Sequence, residues 1–268
     1  MEKLTIIKVG GKIVEEEATL HQLLDRFAAI PGHKLLVHGG GRSATKIAER
    51  LGIEQQMVGG RRITDAETLR VVTMVYGGLV NKQIVAQLQA RSINALGLTG
   101  ADMNVILSHR RPAGEVDYGF VGDVDRVNAD LLADLIRRDV VPVMAPLTHD
   151  GQGSMLNTNA DTIAGETAKA LAAHFDVTLM YCFEKKGVLR DENDDDSVIP
   201  SISASELPQL IADGIVSGGM LPKLENSFAA IAAGVSRVVI TRADAIAQPE
   251  AGTTLLLNDL TRCALNSK

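Results

Sequence analysis

Leu4-Thr5-Ile6-Ile7-Lys8-Val9-Gly10-Gly11 is the stretch from which the fold is read. Its apolar run predicts a strand, and the glycine pair predicts a turn at the carboxyl end. A lysine inside such a run is costly unless an anion meets it there. Lys34-Leu35-Leu36-Val37-His38-Gly39-Gly40-Gly41-Arg42 repeats the arrangement. Glycines after a strand let backbone N–H groups approach a negatively charged ligand, and a helix beginning just beyond adds its positive end. Two such ends predict a chain that holds anions at its strand ends.

Outward from these strands the pattern alternates. Leu20, Leu23, Leu24, Phe27 and Ala28 have the spacing of an amphipathic helix, and Ala44, Ile47, Ala48 and Leu51 form the next apolar stripe. Thr64-Asp65-Ala66-Glu67 and Ser203-Ala204-Ser205-Glu206 read as capping boxes. Further strands are expected in the glycine-ended run 95–102, at 140–144, at 177–182, at 237–241 and at 253–257, with short strands or a hairpin between 105 and 122. Asn128 and the Asn159-Ala160-Asp161 segment open helices, and a helix from about Met220 to Ala233 ends at Gly234. Pro142 fits a strand only where its missing N–H is not needed. Strands alternating with helices predict a mainly parallel sheet covered on both faces, with ligands at the strand carboxyl ends.

The 268 residues, 46% of them hydrophobic, suffice for one large core, and no linker divides them. One folding unit with two lobes is expected, about 1–175 and about 176–268. A formal net charge of -6 and the absence of a basic run argue against nucleic acid as a partner, and no apolar run reaches the roughly 18 residues of a membrane span. Cys182 and Cys263 show no CxxC spacing, so buried thiols in a reducing, cytoplasmic compartment are expected. The acidic run from Asp191 to Asp196 lacks the glycine and terminal glutamate of a calcium loop and reads as solvated. The six histidines do not cluster at metal-ligand spacing, no protein-built metal site is implied, and His38 reads as a structural hydrogen bonder. Neither GxxxxGK[ST] nor GxGxxG occurs.

Five elements in order carry a resemblance: Lys8-Val9-Gly10-Gly11, His38-Gly39-Gly40-Gly41, Gly60-Arg61-Arg62-Ile63-Thr64, Asn157-Thr158-Asn159-Ala160-Asp161 and Gly218-Gly219-Met220-Leu221-Pro222-Lys223. Together they resemble the N-acetylglutamate kinases of the amino-acid-kinase superfamily over nearly the whole chain. The resemblance implies a three-layer αβα sandwich with an open, mainly parallel sheet. It also implies transfer of the ATP γ-phosphoryl group to the side-chain carboxylate of N-acetyl-L-glutamate in arginine biosynthesis. A carboxylate of pKa near 4.3 is already ionised at neutral pH and needs no general base, so the task is charge neutralisation. By resemblance Lys8 and Lys223 flank the transferring group and Asp161 holds both lysines. Gly40, Gly41, Arg62 and Asn157 receive the acylated amino acid. Gly10, Gly11, Glu184, Gly187, Leu189, Ser217 and Gly219 face the nucleotide, and magnesium arrives with ATP. Plainer readings make Lys8 a snorkelling edge-strand lysine, Lys223 a solvated helix lysine, Asp161 a first-turn carboxylate and one of Arg61 and Arg62 a surface residue.

Two departures from the family pattern stand out. Where relatives have Thr or Ser followed by Asp, this chain has Phe183-Glu184. Lys12 and Arg42 follow the two glycine loops, the second where Pro is common, either as surface charge or to meet a carboxylate on an N-succinyl group. N-succinylglutamate or an N-acyl-aminoadipate is therefore an alternative substrate, and a catalytically silent acylamino-acid sensor is the alternative of another class. With the first strand beginning by Leu4, the expectation is a homodimer without the arginine-feedback site of relatives that carry an N-terminal helix.

Overall fold

The computed structural model describes residues 1–218, 220–248 and 250–257; Gly219 and Cys263 lie outside them. In chain order the strands are β1 (Lys3–Val9), β2 (His33–His38), β3 (Met57–Val58), β4 (Arg61–Arg62), β5 (Ala95–Leu98), β6 (Ile106–Arg110), β7 (Gly122–Val127), β8 (Val141–Met144), β9 (Leu147–His149), β10 (Met155–Asn157), β11 (Asp176–Phe183), β12 (Ser201–Ser203), β13 (Arg237–Arg242) and β14 (Thr253–Leu256). The helices are α1 (Gly11–Glu15), α2 (Glu17–Ala29), α3 (Gly41–Arg50), α4 (Ala66–Val72), α5 (Asn81–Gln89), α6 (Ala129–Arg137), α7 (Ala160–Leu171), α8 (Leu207–Ala212) and α9 (Met220–Ala232), with a π-helical segment, Thr73–Val80, between α4 and α5.

Among the described residues eight strands form one sheet in the order β12-β14-β13-β11-β1-β2-β8-β5. Its neighbours run parallel except β13 and β14. Two apolar clusters cover its faces, and alternation along β1 divides the strand between them: Leu4 and Ile6 join one, Ile7 and Val9 the other. Lys8 shares the face of Leu4 and Ile6, the one that α7 covers with Ile163, Ala164, Ala168 and Leu171. Since β1 pairs with β11 on one side and β2 on the other, Lys8 stands in the middle of the sheet, opposite Tyr181 and Val37. The edge-strand reading of this lysine is thereby excluded.

A smaller sheet, β10-β9-β6-β7, overhangs the carboxyl ends of the central strands, and β3 pairs with β4 as a short ribbon. Pro142 occupies β8, but the ladder between β2 and β8 begins only at Val143, so no partner misses its N–H. Lys34, unremarked in the sequence, is buried with its ammonium donating to the carbonyls of Phe27, Ala28 and Ile30 at the end of α2. These are acceptors that a helix leaves unsatisfied.

Three local expectations shift. Asp65, not Thr64, caps α4 by accepting from the Thr68 N–H. Glu206 accepts from the Ser203 N–H and hydroxyl, closing a turn, and α8 starts only at Leu207. Leu51 leaves the apolar stripe of α3, being the exposed C-cap residue where the helix has already ended.

Candidate active site

Asn159 is the N-cap of α7, its side chain accepting from the N–H groups of Asp161 and Thr162 at 2.7 and 3.3 Å. This cap fixes the first helical turn, and Asp161 projects from it toward the lysine of the central strand. Lys8 Nζ lies 2.7 Å from Asp161 Oδ1, and Lys223 Nζ, reaching over from α9, lies 3.9 Å from Oδ2. Residues separated by more than two hundred positions of sequence thus share one carboxylate. Burial holds the Lys223 ammonium below the usual lysine range; Asp161 opposes that shift and the Lys8 charge adds to it.

Phe183, the last residue of β11, carries both cations. Its ring stacks on Tyr181 and lies 5.6 Å from Lys8 Nζ and 3.8 Å from Lys223 Nζ. The negative face of an aromatic ring attracts an ammonium, most strongly where water is excluded. In the sequence this residue was only a departure from pattern.

The two glycine loops abut. Gly39 donates its N–H to the Val9 carbonyl at 3.0 Å, and a Cβ on Gly11 would lie 3.7 Å from the N atoms of Gly40 and Gly41. A Cβ on Gly40 would fall 2.9 Å from the ring of the buried Tyr76. His38 is fully buried beneath them. Its Nδ1–H donates to the Gly39 carbonyl at 2.7 Å, and Nε2 accepts from Asn81, whose amide also donates to Val143 O. Burial pushes the imidazole down to about 4, so it is neutral at pH 7 and works as a strut.

Beside the loops is a cavity of about 210 Å³ bordered by Gly40, Gly41, Arg62, Asn157 and Ala160. Arg62 Nη2 donates to Gly41 O at 2.8 Å and Thr45 Oγ1 at 2.9 Å, and Nη1 donates to Gln55. It is buried, which removes the surface reading for this arginine. Asn157 Nδ2 donates to Thr64 Oγ1 at 3.0 Å. Arg61 and Arg111 line the same cavity. No spacing in the sequence separated Arg111 from its neighbour Arg110.

The remaining expected positions divide. Gly10 and Gly11 sit at the loop junction. Glu184 is exposed and pairs with Lys12 at 3.4 Å, joining the first glycine loop to the segment after β11. Ser217 is exposed, and its carbonyl accepts from the Met220 N–H at the start of α9. Gly187 is buried, and a Cβ there would meet Thr253 Oγ1 at 2.7 Å, so packing alone requires glycine. Leu189 is buried and bridges to Val198. Lys12 and Arg42 do not line the cavity: Lys12 turns to Glu184 and Arg42 is exposed. Cys182 is a buried thiol whose pKa burial raises to about 12.

A mainly parallel sheet with two glycine-ended strands and a lysine–aspartate–lysine cluster at their carboxyl ends defines a phosphotransferase-type fold, and the model of the amino acid kinase family matches residues 3–242. The chain belongs to that family. It is similar to the acetylglutamate kinase of Bacteroides thetaiotaomicron, with 79% identity over 249 residues, 93% of this chain and 97% of that one. To the acetylglutamate kinase of Cytophaga hutchinsonii it is 55% identical over 264 residues, 96% of this chain and all of the other. Among solved structures, Giardia lamblia carbamate kinase bound to AMP-PNP superposes with a TM-score of 0.68 at 14% identity, covering 96% of this chain and 99% of that one. This last likeness speaks for the fold.

Proposed function

We propose that the protein phosphorylates the side-chain carboxylate of an N-acylated glutamate, N-acetyl-L-glutamate among them, with ATP as donor. The convergence of Lys8, Asp161 and Lys223 beside a cavity holding Arg62 and Asn157 carries this reading, and relatives at 79% and 78% identity named acetylglutamate kinase support it. An oxygen of the ionised side-chain carboxylate attacks the γ-phosphorus. The bond from that phosphorus to the β,γ-bridging oxygen breaks, and ADP leaves with the electron pair. No proton moves. Lys8 and Lys223 offset charge on the transferring group, and Asp161 keeps the two ammonium groups side by side and charged. The Gly11 N–H faces the phosphates beside Gly10, whose own N–H donates to the Cys182 carbonyl at 3.4 Å; the N–H groups of Gly40 and Gly41 face the attacking carboxylate, and Arg62 pairs with the α-carboxylate. Magnesium enters with ATP in this reading, held largely by the phosphates and water.

The same reading includes a homodimer, for which the exposed Met74 and Leu79 of the π-helical segment offer apolar surface. Equilibrium sedimentation tests it, and a monomer at micromolar concentration rejects it. For the chemistry, hydroxylamine traps the acyl phosphate as a hydroxamate. ATP-dependent hydroxamate from N-acetyl-L-glutamate is the expected result. None from any acylglutamate leaves the silent sensor.

A further inference from the structure

Arg61, Arg62 and Arg111 all line the cavity, and none of its lining residues is Asp or Glu. The proposed reaction uses one of these guanidiniums. The side-chain carboxylate of an acylglutamate faces the glycine loops and the lysines, and its α-carboxylate takes Arg62. Two cations remain with nothing on an acetyl group to meet them.

Arg111 is held but incompletely used. Its Nε and Nη2 donate to Asp123 at 3.0 and 2.5 Å, while Nη1 is buried without a hydrogen-bond acceptor among the described residues. A buried donor of a charged group left unpaired is costly, so such an atom beside a ligand cavity asks for an acceptor. Asp123 neutralises one positive charge, and Arg61 also acts on that carboxylate, so this end of the cavity keeps a positive excess.

Strand pairing says which part of a substrate this end faces. The Arg111 N–H donates to the Val121 carbonyl at 2.8 Å, and Val121 bridges to Asn157. Arg111, Val121 and Asn157 therefore stand in line across adjacent strands about 4.8 Å apart. If Asn157 receives the substrate amide, Val121 and then Arg111, two strand spacings or roughly 10 Å away, follow outward on this line, the side this reading gives to the acyl group.

We infer that the acyl end of the cavity is built for a second carboxylate, so that the substrate class is an N-acylglutamate whose acyl group ends in a carboxylate, of about succinyl length, with Arg111 Nη1 as donor and Arg61 as supporting charge. This rests on the proposed kinase reading. It differs from the argument that sequence allowed, since Lys12 and Arg42 take no part.

The test compares kcat/KM for N-acetyl-, N-butanoyl- and N-succinyl-L-glutamate on the intact protein. Succinyl is expected to exceed acetyl by about tenfold or more, the worth of one charge-assisted pair, with the change mainly in KM. Butanoyl, of similar length but uncharged, is expected to gain nothing comparable. Arg111→Met is expected to lower the succinyl-to-acetyl ratio by about tenfold, and Arg111→Lys to restore part of it. An unaltered protein that uses acetyl as well as or better than succinyl overturns the inference, whatever the folding of the variants. Turnover of neither, with calorimetry still showing succinylglutamate bound more tightly than acetylglutamate, sinks the kinase reading and keeps the acyl site; turnover of neither without that preference sinks both.

Discussion

Lys8 and Lys223 meet one carboxylate from opposite halves of the molecule and by different means. Lys8 rises from the centre of the sheet, 10% exposed, 2.7 Å from Asp161; Lys223 extends from α9, 26% exposed, 3.9 Å away. The surroundings differ in the same sense. Around Lys8 the glycine loops are tied by the His38–Asn81 pair, and Arg62 is held by Gly41, Thr45 and Gln55. On the Lys223 side the exposed ion pairs Lys12–Glu184 and Lys186–Asp196 stand beside the buried Thr253 hydroxyl, which accepts from the Val188 N–H and donates to Ile199 O. The half proposed to receive the acylamino acid is thus arranged by buried hydrogen bonds before any ligand arrives. The half proposed to face the nucleotide mixes such a buried tie with exposed, solvent-screened pairs.

The largest effect expected from this asymmetry is on turnover. Lys8→Met should lower kcat by about a thousandfold and Lys223→Met by about a hundredfold, in the range for losing a preorganised charge at a developing anion. Hydroxamate formation under saturating substrate measures both, and equal losses would break the comparison.

His38 tests the buried half through stability. Its folded pKa of about 4 lies below the ordinary 6.5, so the unfolded chain takes up the proton first as pH falls. The contribution is fully present above pH 6.5 and is lost between 6.5 and 4, in total about 3 kcal/mol. Urea unfolding at pH 7 and pH 5 should show part of that loss. His38→Gln should flatten the slope, and an unchanged slope would place the pH dependence elsewhere.

Phe183 sharpens the contrast from the other side. Lys223 must be protonated to offset charge, and burial has lowered its pKa, so kcat should fall as pH rises through a value below the lysine norm of 10.5. Phe183→Leu removes the ring that favours the ammonium, worth about 1 kcal/mol. kcat should drop about fivefold and the alkaline limb should move to lower pH. A limb that moves upward would mean that the ring only excludes water.

The smallest effect belongs to the exposed pair. Glu184→Gln should change the KM for ATP by less than about threefold, because solvent screens such pairs. A tenfold change would show that Glu184 touches the nucleotide directly.

Much of this was legible in one dimension. Glycine-ended strands, helix caps and a lysine in an apolar run are local signals, and they located Lys8, both loops and the start of α7, while Asp161 was singled out there by the family resemblance. Phe183 and Tyr76 were not readable as site residues, since a lone aromatic says nothing about what lies over its ring. Gly187 and Leu189 look like loop residues in sequence, yet packing against Thr253 and pairing with Val198 explain them.

By itself the sequence determined that two parallel strands end in glycine turns followed by helices, because backbone turns and helix starts are encoded within a few residues. Which cations line the cavity was decided only in three dimensions. Arg110 donates to Gly119 O and lies over the Phe120 ring, while adjacent Arg111 lines the cavity. Neighbouring side chains on extended backbone point to opposite faces, so hairpin register, set by contacts far along the chain, chooses between them.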